Sequence, residues 1–399
     1  MAKNMNIKKN NNSLFTQIRQ ICLVTNDFER TVYGLSKDLG IGPFKCWDHK
    51  PPRLFDIKLY GKEVYFTMKL AIAWIGNTQL EVIQPLEGQN IYQEYFDTYK
   101  EGVQHLLLET GNLNLNKAVN RLATVDYSVI QESKLNIPVQ IGFLKLPSIP
   151  RIFSDLFIPR FVYLDTENSA KTVIEILQLP PFLSAKAGIS IVKPDYWIPE
   201  ENTNINTSLS NSFIDQIYKI GIITHDLDKT VRNYVERLGI SPWKVYNLQS
   251  PRLSETKIHG KNVNLSMRIA VTYVGNTLLE IVQPLDGISI YHDLLDKHGE
   301  GVHYIGVASE KLNFSELIKH FNKLGYCITM EGKLENAYHF AYLDTKSVAK
   351  MMIEVISIPA NEISVALENL QPDEIYPNLN KKEFRSHNSK LNSLRLMDK

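Results

Sequence analysis

Cysteine is scarce in this chain. There are three in 399 residues, Cys22, Cys46 and Cys327, and no pair has CxxC or zinc-ribbon spacing. Cys22 and Cys327 fall inside apolar runs and read as core thiols. No stretch of about 18 apolar residues occurs, so no membrane span is predicted. Charge of one sign is lacking too. Lys+Arg is 44 against Asp+Glu 43, which leaves no global field to attract nucleic acid. The opening Met1–Asn12 is rich in Asn and Lys and has no apolar core of the signal-peptide kind. It reads as a flexible tail, and the chain as a soluble cytoplasmic protein. With 44% hydrophobic residues, the length suffices for two domains with separate cores.

What the chain does have is a repeat. Asp27 in Val-Thr-Asn-Asp-Phe matches Asp226 in Ile-Thr-His-Asp-Leu, an offset of 226 − 27 = 199. The same offset joins Gly61 to Gly260, Gly76 to Gly275, Glu81 to Glu280 and Gly102 to Gly301. A gap-free register of this length indicates duplication, and it supplies an internal comparison. Matching positions serve the fold; differing positions separate a working site from a retired one. At Phe161 and Phe340 the offset falls to 340 − 161 = 179. The first copy therefore carries an insertion within 137–160, rich in Pro and aromatic residues, which could be a lid, a packing flap or a dimer contact.

Each copy opens with a β-type run, Ile18–Val24 or Ile217–Ile223. A helix follows, with Phe28, Val32, Leu35 and Leu39, or Leu227, Val231, Tyr234 and Leu238, at helical spacing after an N-cap aspartate. Strand-like runs come next at Arg53–Tyr60, Glu63–Trp74 and Thr78–Gln84. The second half of each copy repeats this grammar, with a strand at His105–Leu108, a helical face of Leu115, Val119 and Leu122, and later strands. The predicted class is α+β, with four βαβββ units pairing into cup-shaped mixed sheets. The expected boundaries are a disordered tail over 1–14, domain 1 over 15–185, a linker over 186–212, domain 2 over 213–365 and a polar tail over 366–399.

The residues Gln20-Ile-Cys-Leu-Val-Thr-Asn-Asp27, Leu39-Gly-Ile-Gly-Pro-Phe44, Leu80-Glu-Val-Ile-Gln-Pro-Leu86, Glu101-Gly-Val-Gln-His105 and Val173-Ile-Glu-Ile-Leu177 occur in that order. Together with the four units, they resemble the vicinal oxygen chelate superfamily, which includes glyoxalase I, methylmalonyl-CoA epimerase, bleomycin-resistance proteins and extradiol dioxygenases. The resemblance implies glyoxalase-like domains with a metal in the cup. It places Gln20, Glu81, His105 and Glu175 as ligands in copy one, a set suited to one divalent ion such as Zn, Mn, Co, Ni or Mg. The matching positions in copy two are Lys219, Glu280, Tyr304 and Glu354. A lysine ammonium has no lone pair to give, so the second cup is expected to be degenerate, with Lys219 neutralising Glu280 or Glu354. His303, one residue from Tyr304, should face away.

The resemblance implies an isomerase, epimerase or glyoxalase-like enzyme. It would move a proton next to a carbonyl of a small-molecule substrate through a metal-bound enediolate, with Glu175 as the catalytic base or acid. Two alternatives stand beside it. A non-catalytic binding protein would use aromatic walls such as Trp47, Trp74, Trp243 and Tyr273. An extradiol dioxygenase needs two histidines and a carboxylate on iron, and Gln20 stands where one of those histidines belongs. Arg53 in Pro-Arg-Leu, repeated at Arg252, could hold a substrate anion or clamp a turn; Trp47 and Trp74 are the other expected substrate contacts. His49, His225, His292 and His298 are expected on the surface. Self-association as a homodimer is left open, as is the pairing of the four units. Pairing in sequence order is favoured because it alone keeps the full ligand set together.

Overall fold

The computed structural model describes residues 13–111, 113–136, 139–141, 144–146, 158–179, 193–199 and 213–377. Copy one contains β1 (Gln17–Val24), α1 (Phe28–Lys37), β2 (Phe44–His49), β3 (Leu54–Leu59), β4 (Lys62–Glu63), β5 (Phe66–Ile75), β6 (Thr78–Gly88) and α2 (Ile91–Tyr99). It continues with β7 (Gly102–Glu109), α3 (Leu115–Ala123), β8 (Val129–Leu135), β9 (Val139–Ile141), β10 (Leu144–Leu146), β11 (Arg160–Leu164), α4 (Glu167–Ala170), β12 (Val173–Gln178) and β13 (Tyr196–Ile198).

Copy two contains β14 (Gln216–Ile223), α5 (Leu227–Glu236), β15 (Trp243–Leu248), β16 (Leu253–Ile258), β17 (Lys261–Asn262), β18 (Leu265–Val274), β19 (Thr277–Gly287) and α6 (Ile290–His298). Then come β20 (Gly301–Ala308), α7 (Phe314–Lys323), β21 (Ile328–Leu334), β22 (Tyr338–Leu343), α8 (Lys346–Ala349), β23 (Met352–Ile356), α9 (Ile363–Asn369) and β24 (Glu374–Tyr376).

The first helix of each copy starts where the sequence places it. The Asp27 carboxylate accepts from the Arg30 N–H at 3.2 Å, and Asp226 accepts from the Lys229 N–H at 2.9 Å, each satisfying a donor that the helix leaves free. Helix α3 buries Leu115, Ala118 and Leu122.

Each copy folds into one mixed sheet of 11 strands. The order is β13-β2-β5-β6-β1-β7-β12-β11-β8-β3-β4 in copy one and β17-β16-β21-β22-β23-β20-β14-β19-β18-β15-β24 in copy two. The units therefore pair in sequence order. At the centre, β1 runs antiparallel to β7 and parallel to β6, and β7 runs parallel to β12. The two units thus meet at the centre along the β1–β7 seam, and the strands that carry the candidate residues are neighbours.

The run read as the second strand of unit one behaves differently from expectation. Phe44–His49 supplies that strand, pairing with β5, whereas Leu54–Leu59 pairs with β8 of the second unit. That excursion joins the far edge of the sheet and curls it into a cup.

Side-chain alternation then divides each sheet. In copy one, Cys22, Val24, Met68, Leu70, Ile72, Ile83 and Tyr163 fill the cup. The opposite faces carry Ile21, Leu23, Leu80 and Val82, and in copy two Ile220, Ile222, Leu279 and Ile281. They merge with the helices into one apolar cluster spanning both domains. Two matching ion pairs cross between the copies. Lys171 Nζ lies 2.7 Å from Glu300, and Lys350 Nζ lies 3.0 Å from Glu101. Each glutamate also accepts from a threonine of its own copy, Thr224 or Thr25, at 2.6 Å.

Two expected segment boundaries shift. Tyr196–Ile198, assigned to the linker, pairs with β2, and Asp195 just before it receives Arg53 at 2.6 Å. In the expected C-terminal tail, residues up to Asn369 complete α9, and Glu374–Tyr376 pairs with β15. Three-residue edge strands carry no periodicity to read; an arginine–aspartate pair from distant parts of the sequence anchors both, with Arg252 2.7 Å from Asp373 in copy two. Leu14, expected in the N-terminal tail, is buried in the core; the linker outside 193–199 and the tail residues 1–12 and 378–399 lie outside the described residues. Of the insertion, only part is described. It includes the antiparallel hairpin β9–β10 and does not decide among lid, flap and dimer contact.

Candidate metal centre

The candidate residues of copy one converge at the β6–β1–β7–β12 centre of the cup. Cys22 lies opposite Glu81 on one side and His105 on the other. Gln20, two residues along β1, shares that face, opposite Gln79 and Leu107. Glu175 enters from β12 opposite Leu107. All five are buried. A β-bulge aims the imidazole. Cys22 pairs with His105 and Leu23 with Val103, so Gln104 is the extra residue. Its side chain comes alongside the ring, with Gln104 Oε1 2.6 Å from His105 Nδ1. An Nδ1–H donated to that oxygen leaves Nε2 with its lone pair.

His105 Nε2 lies 3.1 Å from Glu175 Oε2 and 3.4 Å from Glu81 Oε2. None of these three buried atoms makes a hydrogen bond. Buried carboxylates are costly unless compensated, so the site demands positive charge. Without an ion, the imidazole supplies it. Burial pulls His105 down, but Glu175 and Glu81 outweigh burial and raise it to about 9. Glu175 is raised by burial and by Glu81, against the pull of His105. Two carboxylate oxygens and one imidazole nitrogen, mutually close and making no hydrogen bond, fit a divalent cation. Cys22 adds a donor that sequence reading assigned to the core. Its sulfur, a Glu81 oxygen and a His105 nitrogen all lie within 4.8 Å of one another. Its place on Gln20's strand face was the available signal.

Copy two answers the same demand covalently. Lys219 Nζ sits 3.1 Å from Glu280 Oε2 and 2.9 Å from Glu354 Oε2. The lysine therefore pairs with both carboxylates, its single charge offsetting one of their two. They raise Lys219 well above its ordinary value, although burial opposes them. Tyr304 donates to Glu280, and Tyr218 donates to Glu354 at 3.3 Å. Gly221 occupies the place of Cys22 because the Tyr304 ring crosses it; a Cβ there would lie 1.9 Å from Tyr304 Cζ. His303 is the bulged residue and turns away, its Nε2 2.7 Å from the Gly299 carbonyl.

The expected substrate contacts separate. Arg53 is committed to Asp195 through two hydrogen bonds, at 2.6 and 2.9 Å, and also donates to the Asp48 carbonyl. This is the turn-clamp alternative. Trp47 is buried, donates to the Lys193 carbonyl at 2.9 Å and stacks on His49. Trp74 is half-buried on the cup-facing side of β5. His49, expected at the surface, is buried; burial and Arg53 lower it to about 3. Of the other histidines expected there, His225 is exposed and His292 and His298 are half-buried. Cys327, expected in the core, is exposed. No helix among the described residues is long and apolar enough to cross a membrane.

Residues 19–138 and 218–342 each match the family model of the Glyoxalase/Bleomycin resistance protein/Dioxygenase superfamily. The two matches cover more than half of the chain, and the chain belongs to that superfamily. Among solved structures it is similar to a variant of 4-hydroxymandelate synthase from Streptomyces coelicolor. The identity is 11%, the TM-score 0.52, and the match covers 90% of this chain and 98% of that one. A fusion of a xylose isomerase-like TIM barrel with 4-hydroxyphenylpyruvate dioxygenase matches at 9% identity and TM-score 0.45, covering 89% and 52%. Methylmalonyl-CoA epimerase from Mycobacterium tuberculosis matches at 13% identity and TM-score 0.27, covering 42% and 91%. No curated protein matches the chain.

Proposed function

We propose that domain 1 is a metal-dependent isomerase or epimerase cup that moves a proton next to a carbonyl, and that domain 2 is its retired counterpart. The observation that carries this is the substitution of charge between the copies. Glu280 and Glu354 enclose the Lys219 ammonium, whereas Glu81 and Glu175 enclose a histidine nitrogen with no hydrogen-bonding partner. Glu81, His105 and Glu175 would hold one divalent ion, with Gln20 on the same strand face completing the set. A bound ion would act as a Lewis acid toward vicinal oxygens of the substrate. Glu175 is the residue that takes the carbon-bound proton and returns it, because burial already favours its protonated form. Gln104 fixes the His105 ring. A dioxygenase reading is less well supported, because the donor set contains one imidazole where the 2-His-1-carboxylate arrangement needs two.

Elemental analysis of the purified protein tests the reading. One tightly held divalent ion per chain is expected, lost in His105→Ala and kept in Tyr304→Phe. In a screen of 2-oxoaldehyde, α-hydroxy-thioester and acyl-CoA substrates, Glu175→Gln should lose turnover by at least ~10²-fold. Two tight ions per chain, or normal solvent-deuterium incorporation in Glu175→Gln, would refute it.

A further inference from the structure

We infer that Cys22 supplies a thiolate ligand to the ion in domain 1, so that the cup selects borderline, sulfur-accepting divalent metals over magnesium or manganese. The inference rests on the reading of domain 1 as a metal cup and deepens it.

Three observations carry it. Cys22 is the residue of β1 flanked directly by both Glu81 and His105, whereas Gln20 stands one alternation further along. The sulfur, a Glu81 oxygen and a His105 nitrogen all lie within 4.8 Å of one another. Tetrahedral zinc, with metal–sulfur about 2.3 Å and metal–nitrogen about 2.0 Å, places its donors roughly 3.5 Å apart. Side-chain rotation closes that difference. His105 Nε2 and Glu81 Oε2 are buried and make no hydrogen bond.

The third observation is the paired exchange in copy two. Where the histidine becomes Tyr304, the cysteine becomes Gly221, and no side chain could fit there beneath the phenol ring. Sulfur and imidazole are present together in one copy and absent together in the other. With Cys22 as a ligand, Glu81, Cys22 and His105 would keep the ion held while Glu175 leaves it to transfer the proton. Ligation forms one metal–sulfur bond and releases the thiol proton to solvent.

The chemistry predicts metal preference. Thiolate favours zinc and cobalt, while oxygen-only sets suit magnesium and manganese. Cobalt(II) is the probe, added to metal-free full-length protein carrying Cys46→Ala and Cys327→Ala, so that Cys22 is the one thiol left. Visible d–d bands should appear together with an intense near-ultraviolet sulfur-to-cobalt charge-transfer band. Adding Cys22→Ser should abolish the charge-transfer band, keep the d–d bands and weaken cobalt binding by ~10-fold or more, as even a ligand's supporting partner is worth that much. Should the cysteine-depleted protein fail to fold, the wild-type protein and Cys22→Ser alone give the same comparison. Visible bands without charge transfer would overturn the sulfur ligand and leave the metal cup standing. No cobalt binding at all would overturn both.

Discussion

Replacing Lys219 with methionine tests the charge argument at its centre. The change keeps most of the side chain's bulk and removes one cation from between Glu280 and Glu354. Lys219 is 2% exposed and the two glutamates 5% and 2%, so water cannot replace the ammonium. Removing one partner of a buried ion pair costs about 3–5 kcal/mol. A second route gives a similar figure. The stranded carboxylates can escape by binding a proton, and neutralising one glutamate at pH 7, about 2.7 units above its ordinary pKa of about 4.3, costs about 3.7 kcal/mol.

The two routes predict a loss of about 3–5 kcal/mol at pH 7, or on the order of 10 °C in thermal midpoint at roughly 2–4 °C per kcal/mol. The pH dependence has a definite sign. In the variant, the folded-state pKa of Glu354, which burial already raises in the wild type, lies further above its unfolded value. The folded state then holds more protons than the unfolded one, and stability falls as pH rises. The gap to wild type should shrink to about 1–2 kcal/mol near pH 5 and widen toward pH 8. Urea unfolding followed at several pH values measures it. A Lys219→Met protein within about 1 kcal/mol of wild type at pH 7, or a gap that widens on acidification, would refute the account of Lys219 as the replacement cation.

Two further outcomes follow from the same comparison of copies. Gly221→Ala should destabilise by about 1–3 kcal/mol or more through the collision with Tyr304, and adding Tyr304→His should recover most of the loss in urea unfolding; no recovery would mean that the ring is not the obstacle. At the cup's edge, Asp195 is held below its ordinary value of 3.8 because Arg53 and the Asp48 N–H outweigh its burial. Its contribution is therefore present above that value and lost as pH falls through the lowered one. Asp195→Asn should cost no more than ~1 kcal/mol at pH 7, since the pair is partly exposed, while speeding amide exchange in Tyr196–Ile198. Equal exchange in the two proteins would show that the clamp does not hold the strand.

Duplication and the βαβββ grammar were legible in the sequence, and the resemblance they carry supplied the candidate positions Glu81, His105, Glu175 and Lys219. Helix caps, strand alternation and a constant offset are local signals that survive without coordinates. The offset also marked Tyr304 and Lys219 as the residues that set copy two apart. Tertiary structure decided the rest. The pairing of units in sequence order and the passage of Leu54–Leu59 to the second unit depend on which backbone edges meet, and those edges are far apart along the chain. Cys22 is the buried core thiol that its apolar sequence neighbours predicted, but its polar neighbours, Glu81 and His105, lie on adjacent strands and only the fold brings them together. Arg53 read equally as a substrate contact or a turn clamp, and Asp195, 142 residues away, is the partner that only the fold supplies. A side chain's charge state and commitment depend on what lies within a few ångströms of it, and only the folded chain brings those groups together.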